Sequence, residues 1–129
     1  MATRVFISFD YDHDQDLRSL LAGQAKHEDS PFEIADWSVK EAFAKSNWQG
    51  KVRAQIRRVG LVAVICGHQT DTATGVAAEV KIAQEEEKPY FLLKGRANGP
   101  NKKPATALAA DKIYEWTWDN LKTLIGGGR

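Results

Sequence analysis

Two stretches of the chain are almost unbroken runs of apolar residues: "RVFISF" (Arg4–Phe9) and "LVAVICG" (Leu61–Gly67). Rich in β-branched and aromatic side chains, they fit central strands buried on both faces of a sheet. "PYFLLKG" (Pro89–Gly95), "FEIAD" (Phe32–Asp36) and "KIYEW" (Lys112–Trp116) predict three further strands. Between them the apolar period lengthens to that of a helix. A helix is expected over His13–Ala25, with Leu17, Leu20 and Leu21 on one face. A second is expected over Asn47–Val59, with Val52 and Ile56 inward and Lys51, Arg53, Arg57 and Arg58 as its solvated side. Ser46 or Asn47 would cap it. A third spans about Gly75–Glu87 and a fourth Trp118–Ile125. The segment from Trp37 to Ser46 reads as a loop with a short helical turn. The Gly-, Pro- and Lys-rich stretch 96–110 reads as an exposed loop.

Strands alternating with helices imply an α/β fold in three layers, with a parallel five-stranded sheet covered on both faces. Right-handed crossovers favour the flavodoxin-like strand order 2-1-3-4-5. The 129 residues suit one domain, 1–129, ending in a flexible Gly126–Arg129 tail. Ligands of such sheets sit beyond the carboxyl ends of the strands, near the switch between strands 1 and 3. That rule selects Ser8, Phe9, Asp10 and Tyr11 after strand 1, and Asp36 and Trp37 after strand 2. It also selects Cys66 to Gln69, including His68, after strand 3, and Lys94 after strand 4.

Composition narrows the function classes. The formal net charge is +1, which gives no case for nucleic acid or membrane binding. A single cysteine, Cys66, excludes an intrachain disulfide and a Cys-rich zinc site. The opening "MATRVFISF" is too short in apolar residues for a signal peptide, and no apolar run reaches the roughly 18 residues of a membrane span. A cytoplasmic protein is expected. There is no P-loop and no G-x-G-x-x-G, which argues against an ordinary kinase or Rossmann dehydrogenase.

The run "DYDHDQD" places Asp10, Asp12, Asp14 and Asp16 at alternate positions. An EF-hand loop counted from Asp10 needs Gly at position six and Glu at position twelve; Gln15 and Leu21 stand there instead. Asp12 with Gln15 fits capping-box spacing, and Asp14 and Asp16 then fall in a first turn that favours negative charge. Asp10 comes too early for the helix and belongs to the strand exit. On the third helix, at about 100° per residue, Val76, Val80 and Ala83 lie at about 0°, 40° and 340° and define the inner face. Glu79 falls at about 300°, on the margin of that face. It is either a boundary carboxylate reaching solvent or one aimed over the strand ends. Glu85, Glu86 and Glu87 read as solvated helix-end charges. Cys66, ending an apolar strand, reads as a small buried hydrophobe rather than a nucleophile. His68 is either a surface residue or a ligand contact. His13 and His27 have no partner that the sequence places. Phe9, Tyr11 and Trp37 either stack on a flat ring or pack the rim.

These segments resemble a known family. "RVFISFDYDHDQD" is similar to the opening strand and loop of Toll/interleukin-1 receptor (TIR) domains. "AVICGHQTDTATGVAAEVKIA" is similar to their core strand, polar loop and Glu-bearing helix. "IYEWTW" resembles a late strand of the bacterial TIR-like subgroup, which includes the TIR subunit of Thoeris anti-phage defence systems. The resemblance implies a three-layer TIR-like fold and cleavage of NAD at the nicotinamide–ribose bond, with cyclic or transferred ADP-ribose as a messenger. It implies that Glu79 is catalytic and that Phe9, Asp10 and Tyr11 line the nicotinamide side. Asp36 and Trp37 would border the pocket, and Ser8 and His68 join the substrate-binding set. NAD or a related nucleotide enters as substrate, with no cofactor and no metal. Self-association or a partner effector protein is implied as well. Many active TIR domains carry Trp four residues before the catalytic Glu; here that place is Gly75. The rival expectation is a non-enzymatic TIR-like adaptor, with Gly75 and a mobile loop over 95–109 in its favour. A receiver domain, also similar in layout, would put its phosphoacceptor Asp where Cys66-Gly67-His68 stands.

Overall fold

The computed structural model describes residues 3–10, 13–28, 30, 32–34, 48–97 and 100–127, apart from the side chains of Trp48 and Gln49. Five strands form one parallel sheet in the order β2-β1-β3-β4-β5. They are β1 (Thr3–Ser8), β2 (Phe32–Ile34), β3 (Leu61–Cys66), β4 (Tyr90–Lys94) and β5 (Ile113–Tyr114). The described helices are α1 (Gln15–Ala25), α2 (Trp48–Arg58), α3 (Thr74–Glu85) and α4 (Trp118–Ile125), with a 3₁₀ turn at Thr70–Thr72 before α3. The strand order is the one the alternating pattern predicts, because consecutive parallel strands need crossover helices. The element ends differ from expectation by at most two residues, and α4 falls where expected. The expected Trp37–Ser46 loop and the caps Ser46 and Asn47 lie outside the described residues.

Strand pleating sorts the core into two layers. Val5, Ile7 and Phe9 of β1 and its exit, with Leu61, Ala63 and Ile65 of β3 and Phe91 and Leu93 of β4, pack with Leu17, Leu21, Leu121 and Leu124 of α1 and α4. The alternate residues Phe6, Val62, Val64, Cys66 and Leu92 pack with Val52 and Ile56 of α2 and with Val76, Val80, Ile82 and Ala83 of α3. Each apolar run serves two faces at once, which is why these strands show no polar alternation.

Several expectations need correction. Leu20 is 61% exposed and leaves the buried face to Leu17 and Leu21. At 100° per residue it sits 60° to one side of Leu17, while Leu21 sits 40° to the other, so the sheet takes only one flank. Arg53 and Arg57 do not simply solvate α2. Arg53 donates to Glu85 and Glu86, and Arg57 donates to Glu86, at 2.6–2.7 Å. Glu86 is therefore an inter-helix anchor rather than a loose helix-end charge. Hydrogen bonds from the Arg57 and Arg53 guanidinium groups hold its carboxyl down to about 2.

The segment after β4 is also tied down. Arg96 and Asn101 exchange hydrogen bonds between main chain and side chain, and Lys102 N–H donates to Gly67 C=O. Thr106 Oγ1 donates to Ala77 C=O, and Gln84 Nε2 donates to Thr106 C=O. The described part of the loop expected to be mobile over 95–109 is thus laced to α3 and the β3 exit.

α3 closes with Glu87 at φ 55°, in the left-handed region. Lys88 N–H reaches Ala83 C=O and Glu87 N–H reaches Gln84 C=O, the paired bonds of a Schellman ending. A side chain at that φ costs energy that glycine avoids. Glu87→Gly is expected to raise stability by about 0.5–1 kcal/mol in urea melts. A lower urea midpoint for the variant would show that the Glu87 side chain contributes more than the backbone strain costs.

Candidate functional site

The pleat that sends Phe9 toward α1 sends Ser8 toward α3. Ser8, the last residue of β1, is fully buried, and its hydroxyl donates to Glu79 Oε1 at 2.7 Å. Glu79 lies on the second turn of α3 and is 1% exposed. It is no boundary carboxylate reaching for solvent. Its second oxygen, Oε2, is buried and has no hydrogen-bond partner among the described residues. Burial pushes the carboxyl up to about 8, against which the Ser8 hydroxyl pulls down. A charged form loses solvation on burial, and a single neutral donor recovers only part of it. An ionisable group held this way at the carboxyl end of a doubly wound sheet marks a candidate functional site.

The surrounding residues divide. Asp10 is 6% exposed, and its carboxylate meets His13 Nδ1 at 2.6 Å. Its carbonyl accepts from His13 N–H and Asp14 N–H, so Asp10 shapes the approach to α1. Phe9, 7% exposed, packs in the α1/α4 layer, on the sheet face away from α3. His68 is exposed in the turn after β3. That turn is fixed by buried Thr70, whose Oγ1 accepts from Gly67 N–H at 2.7 Å. Tyr11, Asp36 and Trp37 lie outside the described residues. Cys66 is fully buried, and its thiol is pushed up to about 12 by burial and then by the charge of Asp14, as befits an inert core residue. Of the proposed set, the structure brings Ser8 and Glu79 into contact. It places Phe9 across the sheet, and Asp10 and His68 at the same strand-end edge.

The acidic run splits three ways. Asp12 lies outside the described residues, and its capping box with it. Asp14 holds the N-cap position of α1 but makes no side-chain cap bond. Instead its carboxylate is 2% exposed, accepts from Arg96 Nη2 at 3.0 Å, and lies against Gly67. A Cβ on Gly67 would stand 2.4 Å from Asp14 Oδ2, so this position admits glycine for lack of room. Burial raises the Asp14 carboxyl despite the Arg96 partner. Asp16, in the first turn as expected, also receives Arg96, at 2.7 and 2.9 Å. The Arg96 guanidinium further donates to His13 C=O. Among the described residues no group of His, Cys, Asp or Glu is arranged to hold a metal ion.

Sequence reasoning missed Arg96, which lies in a loop 80 residues away from Asp16 and carries no local signature. It also missed a groove of about 390 Å³ on the α1 side of β4. Leu20, Gln24, Lys94, Arg96, Glu115 and Trp116 line it, and neither Ser8 nor Glu79 is part of it. The Trp116 indole N–H is held by Gln24 Oε1 at 2.8 Å. Nearby, His27 gains a partner in Trp118, edge to face at 5.4 Å.

A doubly wound sheet in this order, with a buried carboxyl on the helix after β3, fits a TIR-like module. The fold is shared with a prokaryotic SEFIR domain of known crystal structure. The match has a TM-score of 0.57 and 17% identity and covers 97% of this chain and 88% of that one. At that identity the likeness speaks for the fold alone. Residues 6–98 match the family model of Thoeris protein ThsB, TIR-like domain, and the chain belongs to that family. The coarse class that follows is a TIR-like defence or signalling module. No curated protein matches the sequence. No helix among the described residues is long and apolar enough to cross a membrane.

Proposed function

We propose that the protein processes NAD in anti-phage signalling, breaking the bond between nicotinamide and ribose with Glu79 as the catalytic carboxylate. The observation that carries this reading is the Glu79 carboxyl, buried at the strand ends with one oxygen bonded to Ser8 and the other without a partner among the described residues. Unliganded, it is mostly neutral at pH 7, because burial holds it at about 8. The nicotinamide ring of NAD is cationic, and an opposite charge nearby favours the carboxylate. Substrate binding thereby ionises the group that acts on it.

The chemistry then needs little else. The C1′–N bond breaks, and its electron pair passes to the ring nitrogen, so nicotinamide leaves neutral. Positive charge develops on the ribose, and a fixed carboxylate in a dry site stabilises it. Water, or a hydroxyl of an acceptor, adds at C1′ and gives up its proton to Glu79 or to solvent. At 1% exposure, Glu79 meets a substrate only after the packing over it opens. Resting turnover is therefore expected to be low until self-association, an effector partner or an infection cue opens the site.

The test is product analysis by mass spectrometry after incubation of the purified protein with NAD. Nicotinamide release is expected, and Glu79→Gln should reduce it at least ~100-fold while remaining folded. Full activity in the variant would remove Glu79 from the mechanism. The second reading is an interaction module without catalysis, favoured by exposed Leu20 beside the Trp116 groove. Intact NAD at high protein concentration, together with a stable complex with an operon neighbour, would select it.

A further inference from the structure

The Ser8 side chain is unavailable to a ligand in this conformation. It is fully buried, and its hydroxyl is committed to Glu79. Ser8 is also fixed in place: it is the last ladder residue of β1, paired with Val64 of β3. The strand therefore presents one hydroxyl to α3 at a set height and direction. The described elements packed on α3 bring apolar side chains to the shared core, with Phe6 from β1, Val52 from α2 and Val64 from β3. The titratable groups described at the same sheet edge include Asp10 with its partner His13, buried Asp14 against Gly67 with its partner Arg96, exposed His68, Lys94 at the end of β4, and buried Cys66, whose thiol stays protonated. Among the described residues no charged side chain acts on Glu79, and the Ser8 hydroxyl is the group that favours its ionised form.

We infer that Ser8 is a positioning residue that holds the Glu79 carboxyl at the strand ends and sets the pH at which it becomes a carboxylate. This rests on the catalytic reading of Glu79, but the contact itself does not. A hydroxyl donor at 2.7 Å favours the carboxylate over the acid. Its removal leaves a buried carboxyl with no donor among the described residues. The group should then ionise at higher pH, and turnover should need a more alkaline solution.

The test follows Glu79 directly. The protein is labelled with ¹³C at glutamate side-chain carboxyls, and Glu79→Gln identifies the Glu79 resonance. In Ser8→Ala the titration midpoint is expected to move upward by about one pH unit. Ser8→Thr keeps the hydroxyl and should titrate near the parent. Ser8→Cys, a weak donor of similar size, should move the same way as Ser8→Ala and serves if the alanine variant does not fold. With NAD, the alkaline displacement of the pH–rate profile should match the NMR displacement, giving about tenfold lower turnover at pH 7 and recovery at high pH.

An unmoved Glu79 midpoint in both Ser8→Ala and Ser8→Cys overturns the inference. So does an equal loss of turnover at every pH. If Glu79→Gln keeps full activity while the midpoint still moves, the catalytic reading fails and the Ser8–Glu79 coupling stands. If Glu79→Gln is inactive and the midpoint does not move, only the role of Ser8 falls.

Discussion

Glu79→Gln is expected to stabilise the fold against urea by roughly 2–4 kcal/mol at pH 8, and by little at pH 5. The carboxyl is 1% exposed, and burial raises it from 4.5 to about 8. A raised folded-state value means that the native protein holds a proton which the unfolded chain releases. Below 4.5 both states are protonated, and the group costs nothing in charge. As the pH climbs from 4.5 to about 8 the unfolded chain ionises and the native one does not, so native stability falls throughout that window. Glutamine has no charge to withhold, can accept the Ser8 hydroxyl bond at its carbonyl, and escapes the fall. Urea melts of both proteins at the two pH values, compared as a difference, cancel the other carboxylates. A gap that does not widen with pH would show that Glu79 is not held neutral. A variant that gains stability while losing turnover is the pattern expected where function requires a buried ionisable group.

The second large effect is expected at Arg96. Arg96→Ala should cost about 2–3 kcal/mol, read from the urea midpoint, because it strips the guanidinium from a buried carboxylate. Asp14 is 2% exposed, and one of its oxygens already has no hydrogen-bond partner among the described residues. The exposed arm of the same guanidinium, to Asp16, contributes far less, since water competes for it. Asp14→Asn in the Arg96→Ala background should recover part of the loss by removing the charge. Loss of stability equal to that of Asp16→Ala alone would sink the claim that the buried arm carries the energy.

Much of this fold is written in local pattern. Nearly unbroken apolar runs gave β1 and β3, because a strand covered on both faces takes apolar side chains at most positions. Helical periodicity put Val52, Ile56, Val76 and Val80 inward, and placed Glu79 on the margin of the inner arc. The same arithmetic could not say whether that margin is wet or dry. The partner it meets there is Ser8, 71 residues earlier in the chain. Asp14 misled for the same reason: in sequence it looks like a first-turn charge, yet its partner lies 82 residues on. Glu86 read as a solvated helix-end charge because its guanidinium partners sit on α2, 29 and 33 residues away. Periodicity reports which face of an element is apolar. It does not report what a charged group will meet once distant segments close on it.

The pleat of β1 has a consequence for the chain as a genetic object. Odd-numbered residues of this strand face α1 and α4, and even-numbered ones face α3. Deleting or inserting one codon upstream in the strand, with pairing to β3 kept from the amino end, would exchange the two sets. An apolar side chain would then press on Glu79, while the hydroxyl entered the α1 layer. Phe6 and Ile7 could trade layers at modest loss, as both are large and apolar. Ser8 and Phe9 could not. The tolerance of β1 to length change is therefore fixed at Ser8, its last residue, and Phe9 just beyond it, and a deletion scan should lose the Ser8–Glu79 contact before it loses the sheet.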